Sequence, residues 1–263
     1  MLRKIVLKIL KATAFDFKIS HHYTKSKFFL NSYQHKGYWF HGEKREQNTV
    51  KNFIDWIRPN DFVLEIGGHI GYFTVLFANL VGENGTVYVF EPSKKNIFYL
   101  TKNIQNLPEK IEKIVSIVEK GAGDLNGRLE FFIDPITGQN NSFVKNFDGF
   151  FKNREVSAET NAELISEQVE VVKLDTFFSN LNKYPNFVKI DVEGFEWNVI
   201  SGFKKIIEAN RPNLMIEIQA DQENIINYFL EINYEIFNDK MMKINSFDNY
   251  EKLKTPNIFF KYN

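Results

Sequence analysis

Glu65-Ile66-Gly67-Gly68-His69-Ile70-Gly71 joins an apolar run at 62–66 to a helical pattern that begins at Tyr72. Glycines in such a loop let the backbone turn sharply and come close to a ligand. The amides that start the following helix then face whatever binds. Glu91 closes the next apolar run, 86–91, just before a proline. An acid at that strand end can accept two hydrogen bonds from a ribose diol. Loop and acid together describe a nucleoside crevice involving Glu65, Gly67, Gly68, Gly71, Tyr72 and Glu91. A second chemical stretch, Lys-Ile-Asp-Val-Glu-Gly at 189–194, puts Asp191 and Glu193 two residues apart at another strand end. In extended backbone their side chains share one side. A carboxylate there can orient or deprotonate an acceptor hydroxyl, a contribution of about 10²–10⁴ in rate.

The nucleoside is narrowed by charge and spacing. A dinucleotide loop reads G-x-G-x-x-G, and glycines at 67, 68 and 71 break that register. Glu65 would face a pyrophosphate unfavourably. It would instead attract the cationic amino-acid end of S-adenosylmethionine, directly or through water. Two unit charges about 4 Å apart attract by on the order of 4 kcal/mol at a protein-surface dielectric, before desolvation. The sign favours a sulfonium cofactor. An NAD(P)-dependent oxidoreductase and a non-catalytic nucleoside-binding module remain as alternatives at this point.

The elements that must hold these residues alternate. From residue 49 onward, short apolar runs at 62–66, 86–91, 115–118, 187–192 and 213–218 are separated by helical patterns at 72–80, 94–106 and 197–209. Such alternation predicts a mostly parallel α/β sheet with helices on both faces. Extended segments at 128–133 and 168–173 flank a long polar insertion. A helix near 222–231 and strands near 234–237 and 258–260 close the chain, the last two able to form an antiparallel hairpin. Residues 1–48 read as an N-terminal helical extension or cap, and 49–263 as the nucleoside-binding domain.

Composition excludes several classes. There is no cysteine, so disulfides, zinc–thiolate sites, Fe–S clusters and thiol nucleophiles are out. Lys+Arg and Asp+Glu are both 33, so no global basic field exists to hold nucleic acid. His21, His22, His35 and His41 lie in the extension without metal-ligand spacing, and no metal is expected. A Mg²⁺ ion on Asp191, Glu193 and Glu217 is a conceivable variant. His69 is a candidate for touching a cofactor carboxylate, and Ser142 for sitting over the cleft. The first 27 residues hold seven basic residues and one acid, Asp16, with Leu2, Ile5, Val6, Ile9 and Leu10 at helical spacing. That segment either packs on its own domain or lies on a membrane surface. With neither a signal peptide nor a spanning segment in view, the expected location is cytoplasmic, with peripheral membrane contact as an option.

Taken together, LEIGGHIGYFT (64–74), VFEPSKKN (89–96), NSF (141–143), VKIDVEGFEWNVISG (188–202) and RPNLMIEI (211–218) resemble the FkbM-type methyltransferases over roughly residues 49–220. The resemblance implies a class I, Rossmann-like fold with a seven-stranded sheet and S-adenosylmethionine as cofactor. It implies O-methylation of a hydroxyl, most readily on a sugar of a glycan or glycolipid. By the same resemblance, Glu65, Gly67 and Gly71 line the methionine part of the cofactor, Glu91 the ribose, and Asp124 approaches the adenine. Asp191 and Glu193 fall on the family's signature acids, and Gln219 stands where the family often has His. Sugar, lipid-headgroup and polyketide hydroxyls ask for similar groups, and segments 20–48 and 134–168 would carry the choice among them.

Overall fold

The structure is a computed structural model that describes residues 2–145, 147–157, 163–181, 183–253 and 255–262. Helix α1 (Leu2–Ala12) is followed by strands β1 (Asp16–Ser20) and β2 (Lys27–Asn31), then by helices α2 (Lys36–His41) and α3 (Gln47–Trp56). The extension expected to be helical therefore contains an antiparallel hairpin, β1 with β2. Its cause is period-two burial: Phe28 and Leu30 are fully buried while Lys27, Phe29 and Asn31 are less so. Phe28, Leu30, Tyr38, Val50 and Phe53 join one core with residues of the main sheet.

That sheet begins with β3 (Phe62–Ile66), α4 (Tyr72–Val81), β4 (Thr86–Phe90), α5 (Lys94–Ile104), α6 (Glu109–Glu112) and β5 (Val115–Val118). A side unit follows, made of β6 (Gly121–Ala122), β7 (Gly127–Ile133), α7 (Asp148–Ser157) and β8 (Ile165–Val172). The second half comprises α8 (Leu174–Phe177), β9 (Phe187–Ile190), α9 (Glu196–Ser201), α10 (Lys204–Asn210), β10 (Asn213–Glu217) and α11 (Gln222–Glu231). It ends with β11 (Glu235–Asn238), β12 (Lys243–Ile244), α12 (Phe247–Leu253) and β13 (Asn257–Lys261).

The main sheet has eight strands in the order β12-β11-β13-β10-β9-β3-β4-β5. Strands β10, β9, β3, β4 and β5 run parallel, and β13 is antiparallel to both β10 and β11. The eighth strand, beyond the seven expected, is β12. It is two residues long and follows a turn in which Asn238 Oδ1 accepts from the Lys240 and Met242 amides. Two residues show no alternation to read. Because β12 and α12 intervene, the final antiparallel pair is joined by a long connection in place of a tight hairpin. The helix expected over 197–209 breaks at Gly202, where a Cβ would stand 1.9 Å from the Gly123 carbonyl oxygen. Asp175 restarts it, its carboxylate accepting from the Lys205 and Ile206 amides.

The central parallel strands β3, β9 and β10 are buried on both sides. Leu64, Val188 and Leu214 pack with α9, α10 and α11 on one face. Val63, Val89, Phe187 and Met215 pack with α3, α4 and α5 on the other. The side unit pairs β7 antiparallel and β6 parallel with β8, linking the two segments that flank the polar insertion.

Candidate active site

Strand alternation gathers the acids. Side chains two apart in a strand share a face. Two residues beyond Val63, Val89, Phe187 and Met215 stand Glu65, Glu91, Lys189 and Glu217, and two beyond Lys189 stands Asp191. Four neighbouring strands thus deliver their charged groups to one side of the sheet at their carboxyl ends. All five line a single cavity of about 310 Å³.

Lys189 is the centre of that row. It is the cross-strand partner of Glu65 in the β3–β9 ladder. Its Nζ lies 3.0 Å from Asp191 Oδ2 and 3.6 Å from Glu65 Oε1, and donates to the Gly67 carbonyl at 3.3 Å. Glu65 Oε2 accepts from Thr74 Oγ1 at 2.6 Å. Lys189 and Glu65 are 2% and 1% exposed, so neither charge is met by solvent. An unpaired buried ammonium would shed its proton. Burial, the largest influence, does pull Lys189 down, but Asp191 and Glu65 outweigh it and hold it above the ordinary lysine range. Burial pushes Glu65 up to about 7 against the opposing pull of Lys189 and Thr74.

The glycine loop is pressed between β4 and β9. Gly67 has φ +85°, and a Cβ there would lie 1.8 Å from the Asp191 carbonyl oxygen. A Cβ on Gly68 would lie 2.2 Å from Val89 Cγ2. Both amides donate to the Phe90 carbonyl. Glu91 Oε1 accepts from the Ser93 amide (3.0 Å) and the Asn96 side chain (3.2 Å), and Oε2 from the His69 amide (2.7 Å). With two lone pairs per oxygen, Oε2 retains one acceptor position. Burial raises Glu91 to about 7, countered by those three donors. His69 lines the cavity, its Nδ1 lies 3.0 Å from the Tyr38 hydroxyl, and its buried Nε2 has no partner. Burial lowers His69 well below its usual range, so the ring is neutral at pH 7.

Across the cavity the groups crowd. Glu193 adopts φ +55°, a left-handed conformation costly for a non-glycine residue. Its carbonyl accepts from Ser142 Oγ at 2.7 Å. Gln219 Nε2 donates to Glu193 Oε2 (2.8 Å) and to Glu217 Oε1 (3.2 Å), bridging two carboxylates. Burial, then Asp191 and Glu217, push Glu193 well above the carboxylate range; Asp191, then burial, does the same to Glu217. Asp191 is 24% exposed and so stays reachable from the cavity mouth. Tyr38, Arg45 and Glu46 form the rim contributed by the N-terminal segment. The Arg45 guanidinium lies 4.5 Å from the Tyr38 ring centre, with Nε 3.2 Å from Glu46 Oε1.

Of the residues marked in the sequence, Glu65, Gly67, Gly68, Tyr72, Glu91, Asp191 and Glu193 line this one cavity. Gly71 stands behind it, at φ +85°, packed against Leu100. Asp124 is exposed and outside the lining; Lys120, Gly121 and Ala122 line it in its place. The reason is that Gly121 and Ala122 enter the ladder with β8, so the chain turns away before Asp124. Among the described residues no three His, Asp or Glu side chains are grouped to hold a metal ion, the Asp191–Glu193–Glu217 set included. Sequence reasoning passed over Lys189, Arg45 and Glu46. A lysine inside the otherwise apolar Phe-Val-Lys-Ile strand was the available signal for the first. Arg45 and Glu46 precede a helix with no motif to mark them.

Comparison with known proteins bears on most of this cavity. The model of the methyltransferase FkbM domain matches residues 65–240, which include the acids of all four strands. The chain belongs to the FkbM methyltransferase family. Its domain is therefore of the S-adenosylmethionine-dependent methyltransferase class. A relative, hexuronic acid methyltransferase AglP of Haloferax volcanii, is 25% identical over 175 residues, covering 66% of this chain and 63% of that protein. The crystal structure of methyltransferase FkbM from Methylobacillus flagellatus aligns with a TM-score of 0.50 at 16% identity. The alignment covers 80% of this chain and 50% of that one. This FkbM chain thus spans under two thirds of the length of each, and the second likeness concerns the fold alone.

Proposed function

We propose that this FkbM chain is an O-methyltransferase that acts on a sugar hydroxyl of a glycan or glycolipid. S-adenosylmethionine, when bound, supplies the activated methyl group. The residues present suit that cofactor. Glu91 keeps one acceptor position for a ribose hydroxyl. Phe90, Pro92, Ala122 and Phe143 give an apolar slot for a flat base, and the neutral His69 ring offers an unpartnered Nε2. The methionine end falls to the Gly67–Gly68 backbone and the Glu65–Lys189 pair.

The observation that carries the reading is Asp191, partly exposed, fixed by Lys189 and flanked by Glu193 in a left-handed conformation. Asp191 or Glu193 orients the acceptor hydroxyl and takes its proton. A sugar suits the rest of the lining. Gln139, Asn140, Asn141 and Asn257, with Glu46 and Glu217, present amides and carboxylates that pair with vicinal hydroxyls. The name of the Haloferax relative, a hexuronic acid methyltransferase, points to the same class of acceptor.

The test joins binding, turnover and product stability. S-adenosylhomocysteine is expected to bind in calorimetric titration where NADH does not. Asp191→Asn should lower kcat by about 10²–10⁴ while the S-adenosylhomocysteine Kd stays within a few fold. The methylated product should survive alkali, as an ether does. Release of methanol in alkali would mark a carboxyl ester and overturn the hydroxyl acceptor.

A further inference from the structure

Helix α1 carries an apolar stripe that the fold leaves uncovered. Ile5, Val6 and Ile9 are 50%, 53% and 58% exposed, and Phe15, just past the helix end, is 61% exposed. At 3.6 residues per turn Ile5 and Ile9 are stacked neighbours with Val6 beside them, while Lys8 and Lys11 occupy the opposite side. Isolated helices of this length are marginal in water, so an uncovered apolar stripe calls for a second surface. The local charge says which kind. Residues 1–27 contain seven basic side chains and one acid. That acid, Asp16, is turned into the fold, accepting from the Tyr99 hydroxyl at 2.9 Å and the Asn31 side chain at 2.8 Å.

We propose that α1 docks, apolar side down, on an anionic lipid bilayer. An 11-residue helix is about 16 Å long, about half of a bilayer core, so it lies on the surface and does not cross. Among the described residues no helix is long and apolar enough to cross. Lipid headgroups answer both features together: acyl chains take the Ile5–Val6–Ile9 stripe and anionic phosphates take the lysines on the opposite flank. A second copy of this chain answers only the first. It would bring two basic helices together, and so narrow a stripe falls short of the roughly 1,000 Å² a stable interface needs.

The experiment is sedimentation of the full chain with vesicles of phosphatidylcholine, alone or with about 30% phosphatidylglycerol, at low and raised salt. Binding is expected with the anionic vesicles only, weakening as salt rises. Ile5→Glu/Ile9→Glu should lose at least about tenfold in bound fraction, and Lys8→Glu/Lys11→Glu should lose a comparable amount. Ile5 and Ile9 are exposed, so circular dichroism and the unfolding midpoint of the isoleucine variant should match the wild type. Three results would overturn the proposal: no sedimentation of the wild type with anionic vesicles, equal sedimentation of wild type and isoleucine variant, or a concentration-dependent dimer that the isoleucine variant abolishes. None of these outcomes depends on the methyl-transfer reading.

Discussion

The two sides of the cavity are built on opposite principles. On the β3–β4 side every charged group is already answered. Glu91 holds three donors, Glu65 holds Thr74 and Lys189, and the glycine loop has no room for a methyl group. On the β9–β10 side like charges face one another. Glu193 and Glu217 share a single glutamine amide beside Asp191, and Glu193 sits in left-handed backbone, as His69 does in the loop opposite. A finished side suits a ligand that recurs unchanged across a family. A strained, partly neutralised side suits the chemistry and the choice of acceptor. Gly67 and Lys189 are where the two sides meet.

The largest expected effect is at Gly67. An added methyl meets the Asp191 carbonyl at 1.8 Å, and the backbone is at φ +85°. Gly67→Ala should therefore force β3 and β9 apart and cost more than about 4 kcal/mol, seen as loss of the folded baseline in urea. If the variant folds normally and loses only acceptor turnover, the loop belongs to the acceptor side and the comparison fails.

This contrast also explains what the sequence made legible. The β3–β4 side of the cavity is mostly one strand–loop–helix plus the end of the next strand, within residues 62–96, so local pattern sufficed there. The opposite wall draws on Tyr38, Arg45 and Glu46, on residues 138–141, and on Lys189, Asp191, Glu193, Glu217 and Asn257. No periodicity joins those segments, and the motifs that touch them, NSF at 141–143, KIDVEG at 189–194 and RPNLMIEI at 211–218, leave Tyr38, Arg45, Glu46 and Asn257 unmarked. Lys189 was legible in principle, since a lysine in a doubly buried strand needs acids, and register placed Glu65 opposite it. Asp124 fell outside the cavity because β6 pairs with β8, a contact between residues about fifty positions apart that no local signal announces. The fold itself was readable where strands alternate with helices. It was missed where elements are very short, as at β12, or where a hairpin sits among irregular aromatics, as at β1–β2.

Next in size is Lys189→Met. Removing the shared cation strands Glu65 and Asp191 and should cost about 3–5 kcal/mol, read from urea unfolding at neutral pH. Lys189 is one of the groups holding the Glu65 pKa down, so in the variant that pKa climbs above about 7. Lys189→Arg should recover part of the loss. Equal stability of wild type and methionine variant would mean that the two sides are not coupled through this charge.

A smaller effect comes from pH alone. Burial raises Glu65, Glu91 and Glu196 to about 7, against 4.5 for the unperturbed group. Between those values the folded chain holds protons that the unfolded chain has released. The contribution of these acids is therefore fully present below about pH 4.5 and is lost as pH rises through 7, by up to about 1.4 kcal/mol per unit for each titrating group, while His21, His35 and His69, lowered by burial, add stability as pH rises toward 6.5. Any turnover that relies on Glu193 as the base should instead rise with pH, since burial and then Asp191 and Glu217 push that carboxyl up and a protonated carboxyl takes no proton from a hydroxyl. Unfolding midpoints from about pH 5 to 8.5 check the first trend, and Glu91→Gln should flatten it. A pH dependence that is the same in the wild type and in Glu91→Gln would contradict the raised pKa of Glu91.

The finest test is Ser142→Ala. Ser142 Oγ donates to the Glu193 carbonyl and accepts from the Val144 amide, tying the insertion to the one acid held at φ +55°. Losing that tie should cost about 1 kcal/mol of stability. It should also let Glu193 relax toward an ordinary conformation, lowering kcat by up to about tenfold. The Kd for S-adenosylhomocysteine should not move, because Ser142 reaches no group on the β3–β4 side. A fall in cofactor affinity equal to the fall in turnover would show that the insertion steadies both sides alike. The division between a finished side and a strained one would then have to be redrawn around the 134–145 segment.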